Sequence, residues 1–496
     1  MKRLPRTTPG AKSVDSEKLL GLFHALNDLD CHQVMIARDN EVIAEGYWRP
    51  YREGMIHIAY SVSKSFTSTA VGLAIDDGLL NEDDSVIGFF ADDLPAGVCE
   101  NMQKLKVRHL LTMSVGIKDE RGIKDDTATW LQRFLFTYVD EEPGTRFSYN
   151  SGSTYVLSCI IRKVTGRNVF DYLKERVFDK MGFSDDIWWE QSPQGINNCF
   201  NGLNATAEDF TKLGLLYLND GVWDGERILS HEWVTKASSL MIGNSNNDEN
   251  RDAGDKQGFG TFTDDYKCGY GYLFWHCTPE GAYRGDGIYG QLCIIMPVQR
   301  MVVSVLAGHR EPGEILNAIW KYLLPAVGTV STPESDERLA AYTSDLRLAV
   351  PEGTRRNMNA GQYSGVEYCC PQNGLGINTI RFTFGDENRI RLTTDKGVFD
   401  APIGYGEWIN AESGYDPEHF GCDNQFFYND VGCCGAWQGD EFFMRIAHTK
   451  TPFVDQLRVR FHNGFIEIRF WHTVKLYQME HHLVGVPAEE WLRYDK

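Results

Sequence analysis

No C-x-x-C pair, H-E-x-x-H string, G-x-S-x-G pentapeptide or phosphate-loop motif occurs in this chain. Those four absences remove the usual signatures of thiol redox centres, helix-borne zinc sites, nucleophile elbows and nucleotide binding. No run approaches the roughly 18 consecutive apolar residues that a membrane-spanning helix needs. Positive charge is scarce as well. Lys and Arg number 49 against 69 Asp and Glu, for a net charge of −20 over 496 residues. That balance argues against nucleic acid or an anionic membrane as partner and tolerates neutral or cationic substrates. Twelve cysteines form no regular framework, and the basic stretch Met1–Gly10 leads into no apolar segment. No secretory signal is therefore expected, the cysteines are expected to be reduced, and the protein is expected to be cytoplasmic. No metal or other cofactor is expected either. His231, His309 and the pair His481-His482 lack ligand spacing, and the neighbours Cys369-Cys370 and Cys433-Cys434 would point to opposite faces of a strand.

What is present reads as two domains. His32–Arg38 and Glu41–Trp48 alternate around Asp39-Asn40 and predict a hairpin. Helical patterns dominate from about 61 to 240, among them 63–78, Val107–Met113, Thr154–Val164 and Ala207–Tyr217. A polar loop over 243–258 precedes short apolar segments at Gly269–Trp275, Gln291–Met296 and Met301–Leu306, which predict strands, and Glu314–Leu324 predicts a closing helix. An early hairpin, a helical middle and late strands imply an α+β domain over 1–328 whose sheet draws on both ends of its sequence. Residues 329–358 read as a linker with a short helix over 335–346. From 359 to 496 alternating segments such as Thr379–Phe384, Glu441–Ile446 and Phe465–Trp471 predict an all-β barrel or sandwich.

Three short motifs carry chemistry. Ser61-Val-Ser-Lys64 is the only S-x-x-K in the chain and opens a helical stretch. Residues three apart on a helix share a face, so the Ser61 hydroxyl and the Lys64 amine can meet. A serine needs a base to become a nucleophile, and a lysine serves when burial or a neighbouring charge brings its pKa towards neutrality. The helix N-terminus adds N–H groups suited to a developing oxyanion. Next, Pro143-Gly-Thr-Arg-Phe-Ser-Tyr149 delivers a tyrosine on a loop just ahead of a helix. It reads either as a proton relay or as a buried tyrosine with one structural hydrogen bond. Last, Tyr283-Arg-Gly-Asp-Gly-Ile288-Tyr-Gly-Gln291 reads as an ordinary glycine-rich turn or as a place of close approach, where the Ile288 N–H is a second oxyanion donor.

Together, in this order, and with Val107–Gly116 and Gly202–Asp209 between them, these blocks resemble the serine β-lactamase/penicillin-binding-protein superfamily over about residues 20–325. They look closest to 6-aminohexanoate-dimer hydrolases and β-lactamase-type carboxylesterases. The resemblance implies a β-lactamase/transpeptidase-like fold. It makes Ser61 the nucleophile, Lys64 its activating base, Tyr149 the relay, and the backbone N–H groups of Ser61 and Ile288 the oxyanion hole. Ser151, Asp286, Gly287 and Tyr289 are candidates for the substrate pocket. Two departures stand out: Ser151 occupies the asparagine position of the Y-x-N element, and Gly285-Asp286-Gly287 stands where a lysine or histidine usually opens the third element. The C-terminal part resembles the lipocalin-like barrel appended to some members. The implied activity is hydrolysis of a small-molecule ester, amide or peptide through a Ser61 acyl-enzyme. The alternatives are a catalytically weak penicillin-binding-like sensor, or a true β-lactamase or D-aminopeptidase. A homo-oligomer is left open.

Overall fold

Asp39 and Asn40 both adopt left-handed backbone, φ 49° and 67°. Two such residues in succession form the tight turn whose twist matches that of a hairpin. They join β1 (Cys31–Arg38) to β2 (Glu41–Tyr47). The computed structural model describes residues 2–95, 97–118, 128–245, 264–414, 429–474 and 480–491. Two compact units emerge: Met1–Gly46 with Ile56–Ser344, and Tyr47–Met55 with Asp345–Lys496.

In the first unit the main elements after the hairpin are α2 (Ser63–Asp76), α3 (Ser151–Thr165), α4 (Ala207–Leu218), β3 (Trp275–His276), β4 (Tyr283–Gly287), β5 (Gln291–Met296), β6 (Met301–Ala307) and α5 (Pro312–Leu323); α1 (Ser16–Asn27) precedes it. The antiparallel sheet runs β2-β1-β6-β5-β4-β3, so the two ends of the unit meet where β1 pairs with β6 (Val34 opposite Val305, Ile36 opposite Val303). Every residue of β5 and β6 is buried, as in a sheet covered on both faces. On one face α4 sits so close that a Cβ on Gly214 would lie 2.5 Å from a Val302 methyl. On α4 itself, Thr206 accepts from the Asp209 N–H and Asp209 from the Thr206 N–H, a reciprocal cap.

The segment Gly269–Trp275 departs from expectation. Only Trp275–His276 is strand, because Gly269 (φ 106°) and Leu273 (φ 65°) turn the backbone out of the extended region. Conversely, the glycine-rich run Tyr283–Gly287 is itself strand β4, paired on one side with β5 and on the other with β3. Most of the polar loop expected over 243–258 lies outside the described residues.

The second unit contains a ten-stranded antiparallel sheet among the described residues. In chain order its strands are β7 (Glu367–Cys369), β8 (Ile377–Thr383), β9 (Asn388–Thr394), β10 (Gly397–Ile403), β11 (Ile409–Glu412), β12 (Asp430–Gln438), β13 (Glu441–His448), β14 (Val454–His462), β15 (Phe465–His472) and β16 (His481–Pro487). The order β10-β9-β8-β7-β16-β15-β14-β13-β12-β11 curls until its ends meet: the Gly435 N–H donates to Gly404 O at 2.8 Å, nearly closing a barrel. Strict alternation fills it. On β15, Ile466, Ile468 and Phe470 are buried while Glu467 and Arg469 face outwards, and Phe382, Trp437, Phe442 and Phe461 pack into one aromatic core. Tyr47–Met55, drawn from between β2 and the segment leading to Ser61, belongs to this unit. There Trp48 and Tyr51 are fully buried, Tyr51 donates to Thr451 O at 3.1 Å, and Asn410 donates to Pro50 O at 2.9 Å. Among the described residues no helix is long and apolar enough to cross a membrane.

Candidate active site

Ser61 lies in a single tight helical turn, Tyr60–Val62, and α2 proper begins two residues later. Lys64 is therefore in the first turn of the helix, where its side chain leans back towards the N-terminus and over Ser61. Its Nζ donates to Ser61 Oγ at 2.9 Å, to Phe200 O at 2.8 Å and to Ser151 Oγ at 3.4 Å. The lysine is only 1% exposed, whereas Ser61, Tyr149 and Ser151 are half-buried. Nζ also stands 4.8 Å from the centre of the Tyr149 ring. Tyr149 immediately precedes Asn150, whose side chain caps α3 by accepting from the Ser153 N–H at 2.8 Å. Two distant stretches of chain thus bring Ser61 and Lys64 together with Tyr149 and Ser151.

The third stretch arrives through glycine. A Cβ on Gly287 would lie 2.6 Å from Ala59 O and 3.1 Å from the Ser61 nitrogen, and one on Gly285 would lie 2.7 Å from Ser65 Oγ. Only a strand without side chains on that face can press its backbone against the Ser61 turn. Ile288 follows directly. Asp286 points to the other face of β4. There it is buried and accepts from Arg284 Nε at 2.7 Å; burial pushes its carboxyl up, against the pull of that guanidinium. The Tyr289 ring is buried edge-on against Tyr60 at 5.7 Å. The expected Gly287→Ala outcome is a loss of about 1–3 kcal/mol in thermal denaturation, together with a rate loss larger than the stability change explains, because the clash is with backbone at the candidate nucleophile Ser61.

Around this centre the backbone is strained. Elsewhere among the described residues, left-handed non-glycine residues are mostly Asp or Asn, which tolerate the region. Near Ser61 they are bulky: Tyr60, Met113, Cys199, Leu273 and Tyr289, with φ between 45° and 67°. Such conformations cost of order 1–3 kcal/mol each and persist where surrounding structure enforces them. Each holds a piece of the site. Met113 accepts from Ser148 N at its carbonyl (2.7 Å) and from Asn150 N at its sulfur (3.4 Å), gripping the backbone on both sides of Tyr149. Leu273 O accepts from Ser65 Oγ at 2.9 Å, and Cys199 precedes the Phe200 carbonyl that receives Lys64. Sequence reasoning misses these residues, since a left-handed Met, Cys or Leu leaves no mark in composition or periodicity.

Behind the loop that carries Tyr149, His109 packs under Gly144, and its Nδ1 accepts from Lys106 N at 3.2 Å. Burial, then the cations Arg108 and Lys106, push its pKa down to about 4. The folded protein resists the proton that the unfolded chain accepts near pH 6.5. Stability is thus unaffected above that pH and falls as the pH drops from about 6.5 towards 4, by up to about 3 kcal/mol from this group. Denaturant titrations across this range are expected to show that loss, and a His109→Gln variant is expected to show less of it.

Residues 21–328 match the Beta-lactamase family model. The chain belongs to the β-lactamase family. It is 28% identical over 316 residues to the 6-aminohexanoate-dimer hydrolase of Paenarthrobacter ureafaciens, a match covering 60% of this chain and 77% of that one. A shorter match to a D-aminopeptidase from Brucella anthropi is 29% identical over 161 residues and covers 30% of this chain and 31% of that one. Its structure is similar to that of a Bacillus anthracis protein given provisionally as a 6-aminohexanoate-dimer hydrolase, with a TM-score of 0.50 and 19% identity, covering 70% of this chain and 89% of that one; at that identity the likeness is one of fold. The S-x-x-K, tyrosine and glycine-rich segments of this β-lactamase-family chain all fall inside the matched region. Among its described residues no group of three or more His, Cys, Asp or Glu is arranged to hold a metal ion.

Proposed function

We propose that the protein is a serine hydrolase that cleaves a small ester or amide through an acyl-enzyme on Ser61. The observation that carries this reading is the buried Lys64 amine 2.9 Å from a half-exposed Ser61 hydroxyl, with the Tyr149 ring beside it. Lys64, helped by Tyr149, takes the Ser61 proton as Oγ attacks the carbonyl carbon. The N–H groups of Ser61 and Ile288 receive the oxyanion, which is why β4 must lie so close to the turn. Tyr149 or Lys64 then protonates the departing oxygen or nitrogen, and water attacks the acyl-enzyme to free the acid and Ser61. Ser151, within reach of Lys64, stands in for the asparagine of the Y-x-N element and keeps the amine oriented. Gly285 supplies no cation at the start of the third element, which favours esters and simple amides over β-lactams carrying a carboxylate.

A hydrolysis panel tests the reading: short-chain p-nitrophenyl esters, aminohexanoate oligomers, D-aminoacyl amides and nitrocefin, with intact mass recorded during turnover. Sustained release of product with transient acyl-enzyme supports it. An acyl adduct that forms once and never clears contradicts it and marks a sensor instead.

A further inference from the structure

Trp275 is 7% exposed and sits at the centre of an aromatic box behind the candidate site. Its ring centre lies 5.4 Å from that of Tyr149, nearly parallel at 27°, and 5.5 Å from Phe147, 5.0 Å from Tyr270 and 5.4 Å from Tyr266. The Arg284 guanidinium lies 5.9 Å from the indole centre. Arg284 is itself fixed: Nε donates to Asp286 at 2.7 Å and Nη1 to His276 O at 2.9 Å. A chain of contacts therefore runs from Asp286 through Arg284, which lies 4.7 Å from the Tyr266 ring and 5.9 Å from Trp275, and through Trp275 to Tyr149, with the Lys64 amine at the end of it.

From this geometry we infer that Trp275 is a positioning residue for Tyr149, and that Arg284 and Asp286 are the anchor that keeps Trp275 in place. The inference rests on the reading of Tyr149 as the proton relay. Tyr149 stands on a loop, just outside α3, so no regular structure dictates its ring orientation. Met113 fixes its backbone, but the ring needs its own support. Trp275 provides a flat surface, and β3 pairs it directly with Arg284 on β4. The two faces of β4 then have separate tasks. Gly285 and Gly287 admit the Ser61 turn, while Arg284 and Asp286 hold the stack. This accounts for the alternation Arg-Gly-Asp-Gly along that strand, and it moves Asp286 from the substrate pocket to the support behind the relay. Trp275 is buried among rings, so its replacement is expected to act on turnover and not on binding.

The test is a double-mutant cycle between Trp275 and Tyr149, read on the full-length enzyme with an activated ester. Trp275→Leu is expected to lower kcat about 100-fold, the scale of a misplacement near 1 Å, with KM within about twofold. It is also expected to move the basic limb of the pH profile, and Trp275→Phe, which keeps a ring in place, is expected to recover most of the rate. In a Tyr149→Phe background the Trp275 substitutions are expected to change kcat little, because the group they position is gone. Should Trp275→Leu fail to fold, Trp275→Phe decides the matter through the same cycle, with a loss of several-fold only where Tyr149 is present. Equal losses in both backgrounds, a change confined to KM, or an unchanged pH profile would overturn the inference. Full activity of Tyr149→Phe would instead overturn the relay assignment on which it rests, so the two failures are told apart.

Discussion

Ser61→Ala and Lys64→Met are each expected to lower kcat by about 10⁴-fold or more, and the double variant is expected to be no worse than either alone. The equality follows from the geometry. On the proposed mechanism, a hydroxyl 2.9 Å from the amine that serves as its base is one functional unit, and removing either half is expected to leave the same residual catalysis from binding and the proposed oxyanion donors. Additive losses would mean that Lys64 acts independently of Ser61. Folding separates the two variants. Ser61→Ala removes a half-exposed hydroxyl and is expected to leave the thermal midpoint almost unchanged. Lys64→Met strips the Phe200 carbonyl of its buried donor and is expected to cost about 1–3 kcal/mol. Steady-state kinetics with thermal denaturation on all three variants reads both effects.

The largest stability change is expected in the barrel. Asp455 is completely buried between two imidazoles, accepting from His448 Nε2 at 2.7 Å and from His472 Nδ1. Desolvation alone would push its carboxyl up, but His472 and His448 outweigh that and hold it well below the usual carboxylate range. Asp455→Asn keeps the shape and removes the charge, leaving the two histidines without their carboxylate. Losing two buried hydrogen bonds to a charged group, at roughly 1.5–3 kcal/mol each, costs about 3–5 kcal/mol. Replacing all three residues with apolar side chains of similar volume is expected to cost far less, since no buried polar group is then left uncompensated. The acid side gives a second readout. A carboxyl with a depressed pKa stabilises the fold fully above about pH 5 and loses that contribution as the pH falls below the ordinary carboxylate range. Denaturant unfolding of the wild type is expected to show this acid slope, and Asp455→Asn is expected to flatten it.

Much of the scaffold is written in local pattern. The Asp39-Asn40 turn, the alternation of Phe465–His472 and the caps of α3 and α4 are short-range signals, and each element forms where those signals place it. Strand β4 is harder to read, because its two glycines suit a turn by local propensity and become strand only through pairing with β5. The same competition defeats Gly269–Trp275, whose apolar texture comes from packing in the aromatic box while Leu273 takes a left-handed bend. In the site, Ser61 and Lys64 are legible because one turn of helix joins them. Tyr149 is legible through its loop and resemblance. Phe200, Met113 and Trp275 are not, since a carbonyl acceptor, a backbone grip and a stacked ring are made by tertiary contacts that leave no spacing in the chain. The passage of Tyr47–Met55 into the second unit is similarly silent: its apolar residues look like any strand end.

The claim that Ser61 is the nucleophile is tested most directly by intact mass spectrometry after treatment with a fluorophosphonate, followed by peptide mapping. One phosphonyl group per chain is expected, on the peptide containing Ser61, absent from Ser61→Ala and acquired much more slowly by Lys64→Met. A label that settles on another residue, or a Ser61→Ala protein that still labels and still turns over p-nitrophenyl esters, would contradict it.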